Sequence, residues 1–285
     1  MRYGLVLEGG GMRGIFTAGV IDVLLENGIA FDKVVGVSAG VAFGTDYKSG
    51  QIRRAIRYNT RFCNDKRYCS FRSLIKTGDI FGAEFCYHTI PDKLDVFDRK
   101  AFDSSPMEFW VVCTDVATGK AVYHKCGKFE RKEREWMRAS ASLPIASRTV
   151  NIGGHLMLDG GVADSIPLKF MESRGTGRNV VVLTQPRNFV KKPIAVLPII
   201  KVKYRMYPKF IKAMANRHNM YNKQLKYVRK SEEEGRTFVF APPEKLPVGR
   251  MEHDANKILE TYRIGRRVAN ENLEKLKEFM GLSEQ

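Results

Sequence analysis

The chain has 285 residues, 44% of them hydrophobic, enough to bury an ordinary core in one large domain or slightly more. Its apolar runs are short, the longest near residues 194–200 being interrupted by proline, and none approaches the roughly 20 residues of a membrane-spanning helix. Lysine and arginine number 48 against 31 aspartate and glutamate, a formal charge of +17, which favours an anionic partner such as nucleic acid, a lipid surface or an acidic substrate, and leaves the fold open.

Residues 3–8 read as a first strand: Met1-Arg2-Tyr3 leads directly into Gly4-Leu5-Val6-Leu7, and Glu8 breaks the apolar run too early for a signal peptide. Apolar positions between 15 and 27, without proline and ended by Asn27-Gly28, predict a helix. Residues 34–37 predict a second short strand and 39–47 a helix after it. Strands follow at 109–114 and 121–125, a helix at 130–142 before Pro144, and strands at 156–158 and 180–183, the last fully apolar and so central. Strand alternating with helix implies a layered α/β domain. Proline-rich residues 185–198 mark a boundary. Beyond it, Phe210, Ile211, Met214, His218, Tyr221, Leu225 and Val228 recur at helical spacing, residues 237–240 read as a strand, and 254–280 as one long last helix. The expected division is a domain over 1–190 and a basic, mainly helical extension over 191–285.

The five cysteines, Cys63, Cys69, Cys86, Cys113 and Cys126, are odd in number and fit neither a disulfide framework nor a paired C-x-x-C site. Reduced thiols in a cytosol are expected, with no metal and no cofactor.

Two glycine motifs carry chemistry. Gly9-Gly10-Gly11-Met12-Arg13-Gly14 follows a strand and opens a helix. It matches the dinucleotide pattern G-x-G-x-x-G, but no acidic residue ends the second strand; Asp32 precedes it instead. Backbone N–H groups at a positive helix end also suit a developing oxyanion. Gly36-Val37-Ser38-Ala39-Gly40 is G-x-S-x-G between strand and helix, the setting of a nucleophile elbow. A serine nucleophile needs a base. None of His88, His124, His155, His218 and His253 has a catalytic setting, although His253 and His155 are conceivable third members of a triad. Asp159 ends a strand and precedes Gly160-Gly161, which brings a carboxylate to the elbow's edge of a sheet.

Taken together in this order, E-G-G-G-M-R-G, G-V-S-A-G and D-G-G resemble the patatin-like phospholipase family. Residues 139–144 (A-S-A-S-L-P) and 113–119 (C-T-D-V-A-T-G) agree with that likeness, which spans roughly residues 2–184. It implies a three-layer α/β sandwich with a mainly parallel sheet and hydrolysis of acyl esters in lipids by a Ser–Asp dyad. Ser38 would be nucleophile and Asp159 base. Gly9, Gly10, Gly11, Met12 and Ala39 would form the oxyanion hole, with Arg13 at the family's basic position and Gly14, Gly36, Gly40, Gly160 and Gly161 shaping the motifs. Glu8 stands where the family often has Asp.

Residues 201–230 hold ten Lys or Arg and no acid, and a second basic stretch runs over 48–76. A solvated face, an anionic membrane surface and nucleic acid compete as readings. No nucleic-acid-binding signature is present, so specific nucleic acid is not expected. The rival to an acyl hydrolase is a basic lipid-surface or nucleic-acid binding protein with a vestigial hydrolase site.

Overall fold

A computed structural model describes residues 1–282. Its strands are β1 (Tyr3–Leu7), β2 (Lys33–Val37), β3 (Glu108–Asp115), β4 (Ala121–Lys125), β5 (Val150–Ile152), β6 (His155–Asp159), β7 (Arg178–Val182) and β8 (Thr237–Phe240). All eight join one sheet. Its parallel centre has the order β3-β2-β1-β7-β8, while β4 and β6 pair antiparallel with β3, and β5 with β6.

The helices are α1 (Ile15–Glu26), α2 (Ala39–Lys48), α3 (Arg54–Phe62), α4 (Phe71–Thr77), α5 (Arg99–Ser104), α6 (Arg131–Ser140), α7 (Leu168–Ser173), α8 (Leu197–Lys203), α9 (Pro208–Glu233), α10 (Ala255–Glu271) and α11 (Leu273–Met280). A π-helical segment spans Phe85–Leu94. Strand alternation sorts the central side chains to two faces. Leu5, Leu7, Val34, Val180 and Val182 share one cluster with residues of α1, α2 and α10. Val6, Val35, Val37, Val112, Val181 and Leu183 share another with residues of α7 and α9. Both faces are covered, which is why the strands read as continuous apolar runs. This is the three-layer α/β sandwich expected from the sequence.

The segment beyond residue 190 is knit into that sandwich. β8 adds a parallel edge strand beside β7. α9 covers the second face, and α10 lies against α1 with backbones touching: a Cβ on Gly19 would meet the Tyr262 carbonyl oxygen at 2.2 Å, and one on Gly265 the Phe16 carbonyl oxygen at 2.1 Å. The last helix, expected unbroken, is interrupted at Asn272, whose side-chain amide donates to the Val268 carbonyl.

Much of the second basic stretch is spent internally. Arg54 is buried and pairs with Asp46 at 2.7 Å, Arg57 pairs with Asp95 at 2.6 Å, and Arg67 pairs with Asp65 at 2.7 Å. Lys48 donates to the Ser105 and Met107 carbonyls.

Candidate active site

β2 ends at Val37 and α2 begins at Ala39, so one residue makes the turn. Ser38 takes φ 56° and ψ −122°, a sparsely populated conformation for a residue with a Cβ. The turn also demands small neighbours. A Cβ on Gly36 would lie 2.7 Å from the Gly40 carbonyl oxygen, and one on Gly40 would lie 2.4 Å from that of Leu7. Ser140, at the end of α6, secures the elbow: its Oγ accepts the Ser38 N–H at 2.9 Å and donates to the Val112 carbonyl at 2.6 Å.

Strand register brings the carboxylate to the serine. Val37 pairs with Val112, and Cys113 pairs with Asp159. Cys113 is therefore level with Ser38, and Asp159 is level with both, one strand further on. Two strand spacings separate backbones by roughly 10 Å, a gap that facing side chains close. The Asp159 carboxylate accepts the Gly161 N–H at 2.7 Å. Glycine is required at Gly160, where a Cβ would meet the Val112 carbonyl oxygen at 2.2 Å. Burial raises the Asp159 pKa above the ordinary carboxylate range; the Arg217 guanidinium, the Gly161 N–H, the Ser38 hydroxyl and Arg250 act against that rise. A carboxylate so placed is a stronger base than one in water.

The first glycine loop lies against the elbow. A Cβ on Gly9 would sit 2.8 Å from the Ser38 Cβ, and Gly11 has φ +59°. Among the described residues, the N–H groups of Gly9, Gly10, Gly11 and Ala39 have no protein acceptor. The Met12 N–H differs: it donates to the Arg250 carbonyl at 3.1 Å. It is thereby removed from the oxyanion donors expected from the sequence, because a C-terminal loop that no local signal foretold has claimed it. Behind the loop, Glu8 is fully enclosed. Its carboxylate accepts the Tyr221 hydroxyl at 2.7 Å and the Thr184 N–H at 2.6 Å, and burial raises its pKa.

Ser38, Asp159 and the glycine loop line one cavity. Phe43, Tyr58, Phe81, Ile90, Phe129 and Met137 give it an apolar lining, among the ion-paired Arg54 and Arg134, and Arg13, Lys191, Arg217 and Arg250 line it as well. No histidine lines it among the described residues. His124 pairs with Glu133 at 2.7 Å, His155 with Asp115 at 3.2 Å, and His253 contacts the Cys63 carbonyl at 2.6 Å. Asp32, the acid closest to a ribose-binding role, instead accepts the Tyr3 N–H at 2.7 Å, at the start of β1 and so at the far edge of the sheet from the glycine loop.

Sequence reasoning missed Ser140, Lys191 and Arg250 as site residues. It counted Arg217 only as charge and Tyr221 only as part of an apolar stripe. The usable signal was Arg217 itself, one turn before Tyr221 on α9 and therefore on the same buried side.

The family model described as patatin-like phospholipase matches residues 5–171, and one described as a domain of unknown function (DUF6363) matches 207–281. The uncharacterized protein YjjU of Escherichia coli is 28% identical over 201 residues, covering 67% of this chain and 54% of that protein. The lysophospholipase NTE1 of Debaryomyces hansenii is 33% identical over 182 residues, covering 60% of this chain and 11% of its own. The chain thus spans about half, or much less, of the length of these relatives. The structure of VipD from Legionella pneumophila aligns over 96% of this chain and 67% of its own, at 12% identity and a TM-score of 0.46. With a family match over more than half of its length, from the first glycine motif past the D-G-G turn, the chain belongs to the patatin-like phospholipase family.

Proposed function

We propose that this chain hydrolyses acyl esters of lipids through a Ser38–Asp159 dyad. The observation that carries the reading is the strand register that sets Asp159 level with Ser38 in a cavity that no histidine lines among the described residues. The Asp159 carboxylate takes the Ser38 proton as Oγ attacks the acyl carbonyl. Negative charge developing on the carbonyl oxygen is met by the N–H groups of Gly9, Gly10, Gly11 and Ala39, which have no acceptor among the described residues. Asp159 returns its proton to the departing alkoxide, leaving an acyl-serine. It then deprotonates water, whose attack releases the fatty acid and restores Ser38. The apolar lining of the cavity accommodates the acyl chain. The names of the lysophospholipase and esterase relatives agree with a lipid ester as substrate.

Hydrolysis of a short-chain p-nitrophenyl ester by Ser38→Ala and Asp159→Asn variants tests the dyad. Both should lose at least about 10³-fold in kcat/KM, since residues acting in one proton transfer fail as a unit. His253→Ala and His155→Ala should stay close to wild type. A histidine variant as inactive as Ser38→Ala would replace the dyad with a triad.

The same reading includes docking on an anionic membrane, and an exposed surface favours it. α4 and α8 flank the loop at residues 144–148: the Ile80 N–H donates to the Ala146 carbonyl, and Lys203 and Tyr204 donate to that of Pro144. Phe71, Ile75, Ile145, Ile199, Val202 and Met206 are exposed there, among exposed Arg72, Lys76, Lys201 and Arg205. A cleft from this face reaches Asp159 past Ile145 and Val196. Apolar side chains ringed by lysine and arginine are suited to a lipid interface.

A further inference from the structure

Four cations line the catalytic cavity without a carboxylate of their own. Among the described residues, no ion pair includes Arg13, Lys191, Arg217 or Arg250, and the buried Nε of Arg13 has no hydrogen-bond partner. The two acids nearby are already engaged: both Glu8 oxygens are held by Tyr221 and Thr184, and Asp159 by Gly161. Arg217 is anchored through Nε to the Gly161 carbonyl. Its Nη2 lies 3.2 Å from where a Gly161 Cβ would be, beside the Asp159 Oδ1 at 3.0 Å from the same point. Arg250 is anchored by its carbonyl on the Met12 N–H of the glycine loop. Lys191 lies over the Tyr221 ring at 4.1 Å, and its backbone is clamped by two hydrogen bonds to Asn222. Burial lowers the Lys191 pKa, Arg217, Arg250 and Arg13 lower it further, and Glu8 acts against them. Arg13, Lys191 and Arg217 are half-buried and Arg250 is exposed at the rim; like charges gathered around one cavity without an ion pair favour an anion between them.

We infer that Lys191, Arg217 and Arg250, with Arg13 behind them, form a phosphate site that selects phosphate-bearing acyl esters, such as lysophospholipids and phosphatidates, over neutral glycerides. The inference rests on the acyl-hydrolase reading for what the phosphate is attached to. Three of the four cations come from the segment after residue 190, outside the region matched by the patatin-like model. That segment therefore sets specificity, while the first half supplies the nucleophile. Guanidinium forks suit phosphate oxygens in a way that a general positive field does not. Lying between the glycine loop and the D-G-G turn, the site fixes the headgroup beside the scissile carbonyl and leaves the apolar lining to the acyl chain.

Calorimetric titration of the Ser38→Ala protein with glycerol 3-phosphate, glycerol and inorganic phosphate tests the site without relying on catalysis. Glycerol 3-phosphate should bind and glycerol should not. Arg250→Gln and Lys191→Gln, added singly to Ser38→Ala, should each weaken binding about tenfold, and a retained thermal transition reports that each variant is folded. Arg217→Lys is the variant kept for the case where Arg217→Gln fails to fold, and should weaken binding as the fork is lost. In the active protein, the ratio of kcat/KM for lysophosphatidate to that for the matching monoacylglycerol should fall by at least tenfold in Arg250→Gln. No binding of glycerol 3-phosphate, or binding indifferent to all three substitutions, overturns the phosphate site whether or not the protein is an esterase. Inorganic phosphate binding as tightly as glycerol 3-phosphate, with no preference for lysophosphatidate, would reassign the cations to a free anion and overturn the selectivity. Binding as predicted without hydrolysis of any ester would leave the site standing and remove the dyad.

Discussion

At Ser38 the backbone conformation and the chemistry are opposed. A φ of 56° with ψ of −122° costs a residue with a Cβ about 1–3 kcal/mol, recovered elsewhere in the fold. Glycine adopts such angles without that cost. Ser38→Gly should therefore be inactive yet more stable than Ser38→Ala by about 1–2 kcal/mol, read from urea unfolding midpoints. Equal stability of the two variants would mean that the elbow is unstrained. Asp159 carries a second residue-scale expectation. As the proposed base it must be ionised, so kcat/KM should fall as pH drops through its pKa. Burial raises that pKa and Arg217 opposes the rise. Removing the positive charge in Arg217→Gln should move the acid limb of the profile to higher pH on a neutral ester, whereas Arg217→Lys should largely keep it in place. A shift to lower pH, or none, would separate Arg217 from the base. The turns that carry Ser38 and Asp159 were legible in the sequence because glycine marks them. Ser140 was not, because a serine in a helix end gives no sign of a hydrogen bond to a residue 102 positions away.

Among the elements, the parallel strands were legible because burial on both faces leaves an unbroken apolar run. Residues 50–104 received no strand or helix in the sequence reading, only a basic stretch over 48–76. Their helices α3, α4 and α5 are six to nine residues long, too short to establish a period, and Arg54 and Arg57 of α3 pair with Asp46 and Asp95, 8 and 38 positions away. The contact of α1 with α10 depends on glycine in the same way as the elbow. Alanine at Gly265 would gain roughly 1 kcal/mol of helix propensity, but its Cβ would lie 2.1 Å from the Phe16 carbonyl oxygen. Overpacking against backbone typically costs 1–3 kcal/mol, so the steric term should win. Gly265→Ala should lower stability by about 1–2 kcal/mol net, measured by chemical denaturation. A stabilised variant would contradict the close packing of the two helices.

At the scale of the whole molecule, the basic charge was legible and its distribution was not. The acid-free run at 201–230 is divided by the fold: Lys209, Lys212, Lys223 and Lys226 face outward on α9, while Arg217 turns into the cavity. The surface that combines charge with exposed apolar side chains lies instead at α4, the 144–148 loop and α8. Ile199→Glu with Val202→Glu should reduce co-sedimentation with anionic vesicles at least tenfold, and raised salt should weaken wild-type binding as screening reaches the roughly 8 Å scale. Changing Lys209, Lys212, Lys223 and Lys226 to Gln should have the smaller effect. The opposite ranking would return the docking surface to α9, and equal binding to neutral vesicles would remove the electrostatic role. The central claim, however, is that Ser38 is an activated nucleophile with Asp159 as its base. It is tested most directly by labelling with a fluorophosphonate probe and locating the adduct by mass spectrometry. The account predicts one adduct, on Ser38, formed rapidly in the wild type and at least about 10²-fold more slowly in Asp159→Asn. No adduct, an adduct on another serine, or labelling of Asp159→Asn at the wild-type rate would contradict it.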